Sequence, residues 1–106
     1  MVIFRFADYG PILVTRNLGA RVRESLLLTL SGTDKVVLDF DGVEMVGNSF
    51  ADECLGKLLM TMSLDELRQH TTFHALSGLS KVSVSAALRR RYNSLVGTSD
   101  PKAYPA

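Results

Sequence analysis

The side chains best suited to chemistry lie close together in the middle of the chain, where Ser49 is followed by two carboxylates at Asp52 and Glu53. The segment before them, residues 36–40, is short, apolar and rich in β-branched side chains, which is typical of a strand buried between helices. After the serine, apolar residues recur at three- and four-residue spacing, which predicts an amphipathic helix: Ala51, Cys54, Leu55, Leu58, Leu59 and Met62. The hydroxyl therefore lies at the start of a helix that packs on a sheet.

Two interpretations of Ser49 follow from this position. As a helix N-cap, its hydroxyl would accept a hydrogen bond from a backbone N–H, and Asp52 would complete an acidic variant of the capping box. As a modified or partner-contacting residue, it would carry a phosphate where unpaired N–H groups and the helix dipole favour negative charge. Asp52 and Glu53 lie in the same turn and would repel that added charge. The sequence leaves both interpretations open.

The two carboxylates also have two interpretations. Acidic residues in a first turn stabilise the helix by about 0.3–1 kcal/mol each and need no further function. Adjacent helical residues point about 100° apart, so we expect one carboxylate to reach back toward the cap. The other would face outward beside Ser49, where a partner could dock. Arg16 opens the first predicted helix and is a candidate ion-pair partner that would tie the first helix to the second.

Other charged residues favour structural interpretations. Asp39 and Asp41 flank the end of the central strand, and we expect Asp39 to hydrogen-bond the following turn rather than to bind a metal or accept a phosphate. The run Arg89 to Arg91 ends the third predicted helix, where cations complement the dipole and usually form a solvated face. Only Tyr92 accompanies it as an aromatic side chain, so we expect no nucleic-acid binding.

The residue patterns of enzymes and metal sites are missing from the sequence. His70 and His74 flank a predicted strand start, so their spacing does not place them on one helical face, and neither forms a paired motif with Cys54. Ser49 lacks the Gly-x-Ser-x-Gly context of a hydrolase nucleophile. No glycine-rich phosphate loop is present. We therefore expect a protein that is not an enzyme, with no metal and no cofactor.

Composition predicts one small globular domain. The chain has 106 residues, of which 46% are hydrophobic and 22% charged, and a net charge of +1 that would attract neither nucleic acid nor an anionic membrane. No apolar run approaches the roughly 20 residues that span a bilayer, and residues 1–10 do not read as a secretory signal. The single cysteine cannot form an internal disulfide, which favours a cytoplasmic location.

Strand and helix patterns alternate along residues 1–96, which we take as the folded domain. Residues 2–6 predict an opening strand and residues 12–14 a second one, and their proximity in the chain predicts a hairpin. Thr15 offers an N-cap for the first helix, on which apolar residues repeat every four positions. A further strand is predicted at 71–76 and a third helix from Ser80. Residues 97–106 are predicted to be a flexible tail. The alternation predicts an α/β layer fold.

These motifs resemble the STAS domains, the sulphate transporter and anti-sigma-factor antagonist family, and most closely a bacterial STAS-like subfamily of unassigned function. In well-known antagonists a hydrophobic strand leads to an Asp-Ser-Ser-Gly segment whose second serine is phosphorylated; here the matching segment is 47–50, and Ser49 is retained. The run 49–53 matches the subfamily's Ser-Phe-Ala-Asp-Glu signature. Thr15, Arg16 and Gly19 match its pattern at the first helix. The resemblance covers roughly residues 3 to 92 and implies a mixed sheet of about four strands with helices packed on it.

The resemblance also implies a function. It predicts a non-catalytic protein-interaction module of the antagonist type, which switches partners in bacterial signalling by docking a regulatory ATPase-like kinase or an anti-sigma factor. Docking would use the helix start, and phosphorylation of Ser49 would control it. The partner-binding residues would be Gly47, Asn48, Ser49, Phe50, Asp52 and Glu53, and the structural ones Thr15, Arg16, Gly19 and Asp39. The alternatives are a structural subunit that forms a constitutive homo-oligomer and a small-ligand-binding module.

Overall fold

The computed structural model describes residues 1–96 and contains five strands and four α-helices within them. The strands are Val2–Arg5 (β1), Ile12–Leu13 (β2), Val36–Asp39 (β3), Met45–Val46 (β4) and Thr71–His74 (β5). The helices are Arg16–Ser31 (α1), Asn48–Cys54 (α2), Leu64–His70 (α3) and Gly78–Val96 (α4). Two 3-10 turns, Phe6–Tyr9 and Gly56–Met60, complete the elements. The predicted tail, 97–106, and any strand following α4 lie outside the described residues.

The α/β fold class is confirmed, but the strands are arranged differently from the prediction. They form two parallel sheets, one of three strands in the order β1-β3-β5 and one of two strands, β2-β4, instead of one mixed sheet of about four. The predicted hairpin of β1 and β2 is wrong. The 3-10 turn at Phe6–Tyr9, anchored by the fully buried ring of Phe6, separates these strands, so each pairs with a later strand. Helical crossovers join parallel neighbours, as in other α/β proteins.

The core lies between the three-stranded sheet and the helices. Phe6 stacks on Phe40 with ring centroids 4.1 Å apart, and Phe4 meets Phe6 edge-on at 5.0 Å, geometries that aromatic rings prefer. On α1 the four-residue apolar repeat gives a buried face, with Val22 and Leu26 wholly enclosed. The predicted amphipathic helix is confirmed here because that face packs on the rest of the core.

The helix after the central strand is shorter than predicted. It ends at Cys54, and the chain then tightens into the 3-10 turn Gly56–Met60. Gly56 packs closely against α4: a Cβ there would lie 3.0 Å from Arg91 Cγ. Glycine is also a poor helix former. Leu55, Leu58 and Leu59 remain buried and Met62 is partly buried, so the apolar face predicted for them is confirmed although the helix does not continue.

Two later boundaries also differ from the sequence pattern. Residues after Met62 form the separate helix α3, which begins with a complete capping box of Ser63 and Glu66. Helix α4 begins at Gly78, two positions before the predicted start at Ser80. The Ser80 hydroxyl instead accepts a hydrogen bond from the backbone N–H of Val46 at 3.2 Å. That contact joins α4 to β4. In the part of the chain that the structure describes, no helix is long and apolar enough to cross a membrane.

Helices α1 and α2 approach each other closely at Gly19. A Cβ on Gly19 would lie 3.0 Å from Glu53 Cβ and 3.1 Å from Phe50 O. By contrast, a Cβ on Gly32, at the end of the same helix, would meet nothing nearer than 3.8 Å. Gly19 is therefore required by packing and not by backbone conformation.

We expect Gly19→Ala to lower the free energy of unfolding by about 1–2 kcal/mol, because overpacking of about 1–3 kcal/mol exceeds the alanine helix-propensity gain of up to about 1 kcal/mol. Gly32→Ala is the matched control and should stay within about 0.5 kcal/mol of wild type. Urea unfolding of the three chains measures both values. Equal stability of the two variants would contradict the close packing of α1 on α2.

Candidate functional site

The candidate site is built around α2, which lies against both α1 and α4. Thr15 caps α1 as predicted, with its Oγ1 accepting the backbone N–H of Leu18 at 3.2 Å. The cap fixes the first turn of α1, and Arg16 is the first residue of that turn. Helix α2 begins at the end of β4, where the Gly47 N–H donates to Leu13 O at 2.9 Å. The site therefore takes its position from the two-stranded sheet, because α1 follows β2 and α2 follows β4.

Asp52 joins α2 to two other helices. Arg91 of α4 donates through Nε to Oδ1 and through Nη2 to Oδ2, both at 2.8 Å, which is the bidentate geometry of a strong ion pair. Arg16 of α1 donates to Oδ2 at 2.9 Å. One carboxylate thus accepts hydrogen bonds from both neighbouring helices.

Glu53 makes a second set of ion pairs on the α1 side. Arg23 donates to its Oε2 at 2.8 Å and also to its backbone carbonyl oxygen. Lys57, one turn along the chain, donates to Oε2 at 3.0 Å, and Arg16 reaches Oε1 at 3.3 Å. Arg16 therefore bridges the two carboxylates. No buried side-chain nitrogen or oxygen among residues 1–96 lacks a hydrogen-bond partner, so the network satisfies its buried groups.

This network corrects the predicted cap. The N-cap of α2 is Gly47, with no side-chain hydrogen bond, and Ser49 lies inside the helix. Asp52 makes no capping box with Ser49, because its carboxylate is held by the two arginines. The predicted ion pair of Arg16 is confirmed, and it involves both carboxylates rather than one.

The orientation predicted for the two carboxylates is also wrong. Asp52 is 9% exposed and Glu53 is 8% exposed, so neither faces outward beside Ser49. Arg91, which the sequence placed on a solvated face at the end of a helix, instead lies within α4 and pairs with Asp52. Charges this enclosed are normally paired, and burial without partners would be costly. The acidic pair therefore belongs to the interior of the fold.

The same contacts shift the acidity of both groups. The hydrogen bonds from Arg91, aided by Arg16, lower the pKa of Asp52 to about 2 against the opposing effect of desolvation. Arg23, with Lys57 and Arg16, likewise lowers the pKa of Glu53 to about 2. Both side chains are thus ionised at neutral pH, and each negative charge is matched by cations on more than one element.

The predicted partner-binding residues divide into two groups. Asn48 and Ser49 are exposed on the first turn of α2. Phe50 is 0% exposed and belongs to the core, so its side chain packs inside the domain and does not lie on the surface. Asp52 and Glu53 are occupied by the ion pairs. Gly47 packs on Val14, where an added Cβ would lie 3.1 Å from Cγ1.

A shallow basic pocket lies on one side of Ser49. Its volume is about 320 Å³. Its lining comes from the start of α1, the start of α2 and the later turns of α4: Arg16, Asn48, Ser49, Asp52, Arg90, Arg91 and Ser94. Three arginines and one aspartate give the lining an excess of positive charge.

An apolar groove lies on the other side of the α2 start. It has a volume of about 800 Å³ and runs between β4 and the first turns of α4, where Met45, Leu79 and Val82 line it. These three side chains are 53%, 85% and 62% exposed. Asn48 lines both the groove and the basic pocket. The exposed α2 start therefore separates a charged concavity from an apolar one.

Asp39 has the structural position that the sequence indicated. Its Oδ1 accepts the backbone N–H of Asp41 at 2.9 Å, which forms the expected turn, and Oδ2 accepts from Arg5 at 3.4 Å.

The two histidines lie at the ends of different elements. His70 ends α3, with Nδ1 2.9 Å from Asp34 O, and His74 ends β5. Within residues 1–96 no three metal-ligating side chains of His, Cys, Asp or Glu lie together.

Cys54 has no surface at which to react. The thiol is fully buried and unpaired, and burial raises its pKa well above the usual range. Thiolate is the nucleophilic form of cysteine, so this side chain is a small apolar group in the core.

The sequence interpretation missed Arg23, Lys57 and Arg91. A signal for the first two was present: Glu53 and Lys57 are four apart on one face, and Arg23 lies two turns after Arg16 on the same face of α1. Arg91 carried no local signal, because its pairing depends on how α4 packs against α2. Its two neighbours in the arginine run are identical in type and both are exposed.

Parallel strands, helical crossovers and a short helix that presents a serine define a small α/β domain of the STAS-like class. A family model described as a STAS-like domain of unknown function (DUF4325) matches residues 19–81, more than half of the chain. The chain belongs to this family. The matched residues include α2, both carboxylates and the start of α4. No curated protein and no solved structure matches the chain.

The depressed pKa values predict acid sensitivity. The ordinary values of Asp52 and Glu53 are 3.8 and 4.5, and both fall on folding. Their contribution to stability is therefore present above about pH 5 and is lost as pH falls toward about 2. We expect the free energy of unfolding of wild type to fall through this window. Asp52→Asn should show a shallower fall, measured by urea unfolding at several pH values.

Glu24→Gln provides the control for this experiment. Glu24 is an exposed carboxylate on α1, with no ion pair among residues 1–96. Its variant should keep the wild-type slope. If Asp52→Asn and Glu24→Gln gave the same pH dependence, the ion pairs of Asp52 would not be responsible for the acid sensitivity.

Proposed function

We propose that the domain is a non-catalytic protein-interaction module of the anti-sigma-factor-antagonist type. It docks a regulatory ATPase-like kinase or an anti-sigma factor through the exposed start of α2. The observation that carries this proposal is the position of Asn48 and Ser49, which are exposed between the basic pocket and the apolar groove. The partner class is inferred from the resemblance to STAS antagonists, and the docking surface is inferred from the positions of Asn48 and Ser49.

The apolar groove supplies the affinity in this proposal. Met45, Leu79 and Val82 are large apolar side chains that stay more than half exposed along one groove, and contiguous exposed apolar surface marks interaction sites. The adjacent arginines would contribute register and association rate more than affinity. An acidic rim on the partner therefore suits this surface.

Ser49 is the residue through which phosphorylation would control docking. Its hydroxyl is exposed and is not used as a helix cap, so it is accessible to a kinase. The two nearby carboxylates are already paired with cations, so they oppose a phosphate less than the sequence alone indicates. A phosphate of about −1.5 to −2 charge beside the groove would have to be desolvated on docking. Phosphorylation should therefore weaken binding.

A constitutive homo-oligomer is the second candidate, and the same groove favours it. Two copies that bury Leu79 and Val82 against each other would cover the exposed apolar surface as effectively as a different partner. This candidate needs no role for Ser49. The effect of a charge at Ser49 on binding therefore distinguishes the partner-docking module from the homo-oligomer.

We expect wild type and Ser49→Ala to capture the same ATPase-like regulator from the native host, as identified by mass spectrometry. Ser49→Asp should lose that capture, because it adds a charge at the docking surface without touching the core. Undiminished capture by Ser49→Asp would contradict control at this residue. Absence of any such regulator, with a stable dimer by light scattering, would favour the homo-oligomer.

A matched pair of variants locates the docking surface in the same experiment. Leu79→Glu places a charge in the groove, while Leu28→Glu places one on α1, outside the groove, at a side chain that is similarly exposed (75% against 85%). Loss of capture with the first variant alone assigns docking to the groove. Equal effects of both variants would remove the groove from the proposal.

A further inference from the structure

The arginines beside Ser49 carry more positive charge than the neighbouring carboxylates neutralise. Arg16 and Arg91 are held by Asp52, and Glu53 is matched by Arg23 and Lys57 as well as Arg16. The third arginine of the pocket, Arg90, is exposed and makes no ion pair with any of residues 1–96. A guanidinium without an anionic partner therefore lines a concavity that already contains two others.

Donor capacity also remains on the two paired arginines. Their ion pairs use one terminal nitrogen of Arg16 and two nitrogens of Arg91, whereas a guanidinium has five N–H groups. The Ser49 and Ser94 hydroxyls and the Asn48 amide add neutral donors to the same lining. Guanidinium and hydroxyl donors that line one concavity with a net positive charge suit a tetrahedral oxyanion, for which arginine is a favoured ligand.

We propose that this basic pocket binds a phosphoryl group, with Arg90 as its dedicated ligand. The volume of about 320 Å³ suits a phosphate with a small substituent. The paired Arg16 and Arg91 are held in place by Asp52, so they present their remaining donors without a large ordering cost.

Two sources can supply this phosphoryl group. One is a small phosphorylated molecule in solution, and this source is independent of the proposed partner switch. The other is a phosphate on Ser49 itself, since Ser49 lines the pocket; only this source rests on the proposed function. In both cases the group would be held by the same arginines.

The first arm of the test uses inorganic phosphate and the unmodified chain. Amide chemical shifts are followed by NMR in about 0.15 M salt, where charges more than about 8 Å apart are screened. We expect saturable shifts at Asn48, Ser49 and Ser94. Arg90→Gln should weaken binding by about three- to fivefold, as for loss of an exposed charge pair. Arg89→Gln is the matched control, an exposed arginine outside the pocket, and should leave binding unchanged.

The second arm uses the chain phosphorylated at Ser49 and follows its ³¹P resonance with pH. Neighbouring arginines favour the dianion, so the resonance should titrate at lower pH than in the phosphorylated Arg90→Gln chain. Phosphorylated Arg89→Gln should match wild type. An Arg90-dependent effect in the first arm supports the free source, and one in the second arm supports the covalent source. No Arg90-dependent effect in either arm, or equal effects of the two substitutions, would overturn the proposal.

Neither arm contains a protein partner, so this test is independent of the docking experiment. A phosphate site that depends on Arg90 would stand even if no regulator were captured. Conversely, capture of a regulator would not rescue the site if phosphate failed to bind. Arg90 makes no ion pair within residues 1–96, and the amide spectrum of its variant verifies that the fold is retained.

Discussion

The carboxylate of Asp52 is the contact on which the candidate site depends. Helix α2 spans only Asn48–Cys54, and a helix this short is not stable by itself in water. Its position comes from burial of Phe50 in the core and from the hydrogen bonds that Asp52 accepts from α1 and α4. Such enclosed ion pairs add little net stability compared with apolar packing. They do penalise any arrangement in which the charges are separated.

The residues of α2 fall into two groups with different roles. Phe50, Asp52 and Glu53 face the interior and hold α2 between its neighbours. Asn48 and Ser49 remain on the surface, where they join the basic pocket to the apolar groove. Gly19 allows α1 to approach this segment closely. Because the internal residues are satisfied within the fold, the surface residues are free to change contacts without disturbing it.

The sequence predicted those features that depend on local spacing. The buried central strand, the Thr15 cap and the turn at Asp39 each follow from a few adjacent residues, and the structure confirms them. The ion pair of Arg16 could be anticipated because it begins α1 and the acids begin the next helix. Strand pairing could not, because the separation into two parallel sheets depends on where the 3-10 turn at Phe6–Tyr9 directs the chain.

The incorrect predictions at the site likewise concern residues whose partners are distant in the sequence. A serine three positions before an acid is the pattern of a capping box. Here the Asp52 carboxylate is instead held in a bidentate ion pair by Arg91, which is distant in the sequence. Helix register then puts Ser49 within the helix and Phe50 in the core. The basic pocket combines residues from α1, α2 and α4, so no window of the sequence contains it.

A double-mutant cycle between Asp52→Asn and Arg91→Gln, read as free energies of unfolding in urea, measures whether Asp52 joins α2 to α4. If Asp52 serves the fold by joining α2 to α4, the two substitutions are coupled by about 1 kcal/mol or more, because each removes the same ion pair. Additive effects within about 0.3–0.5 kcal/mol would show that the two residues act independently. That result would contradict the assignment of the acidic pair to the interior.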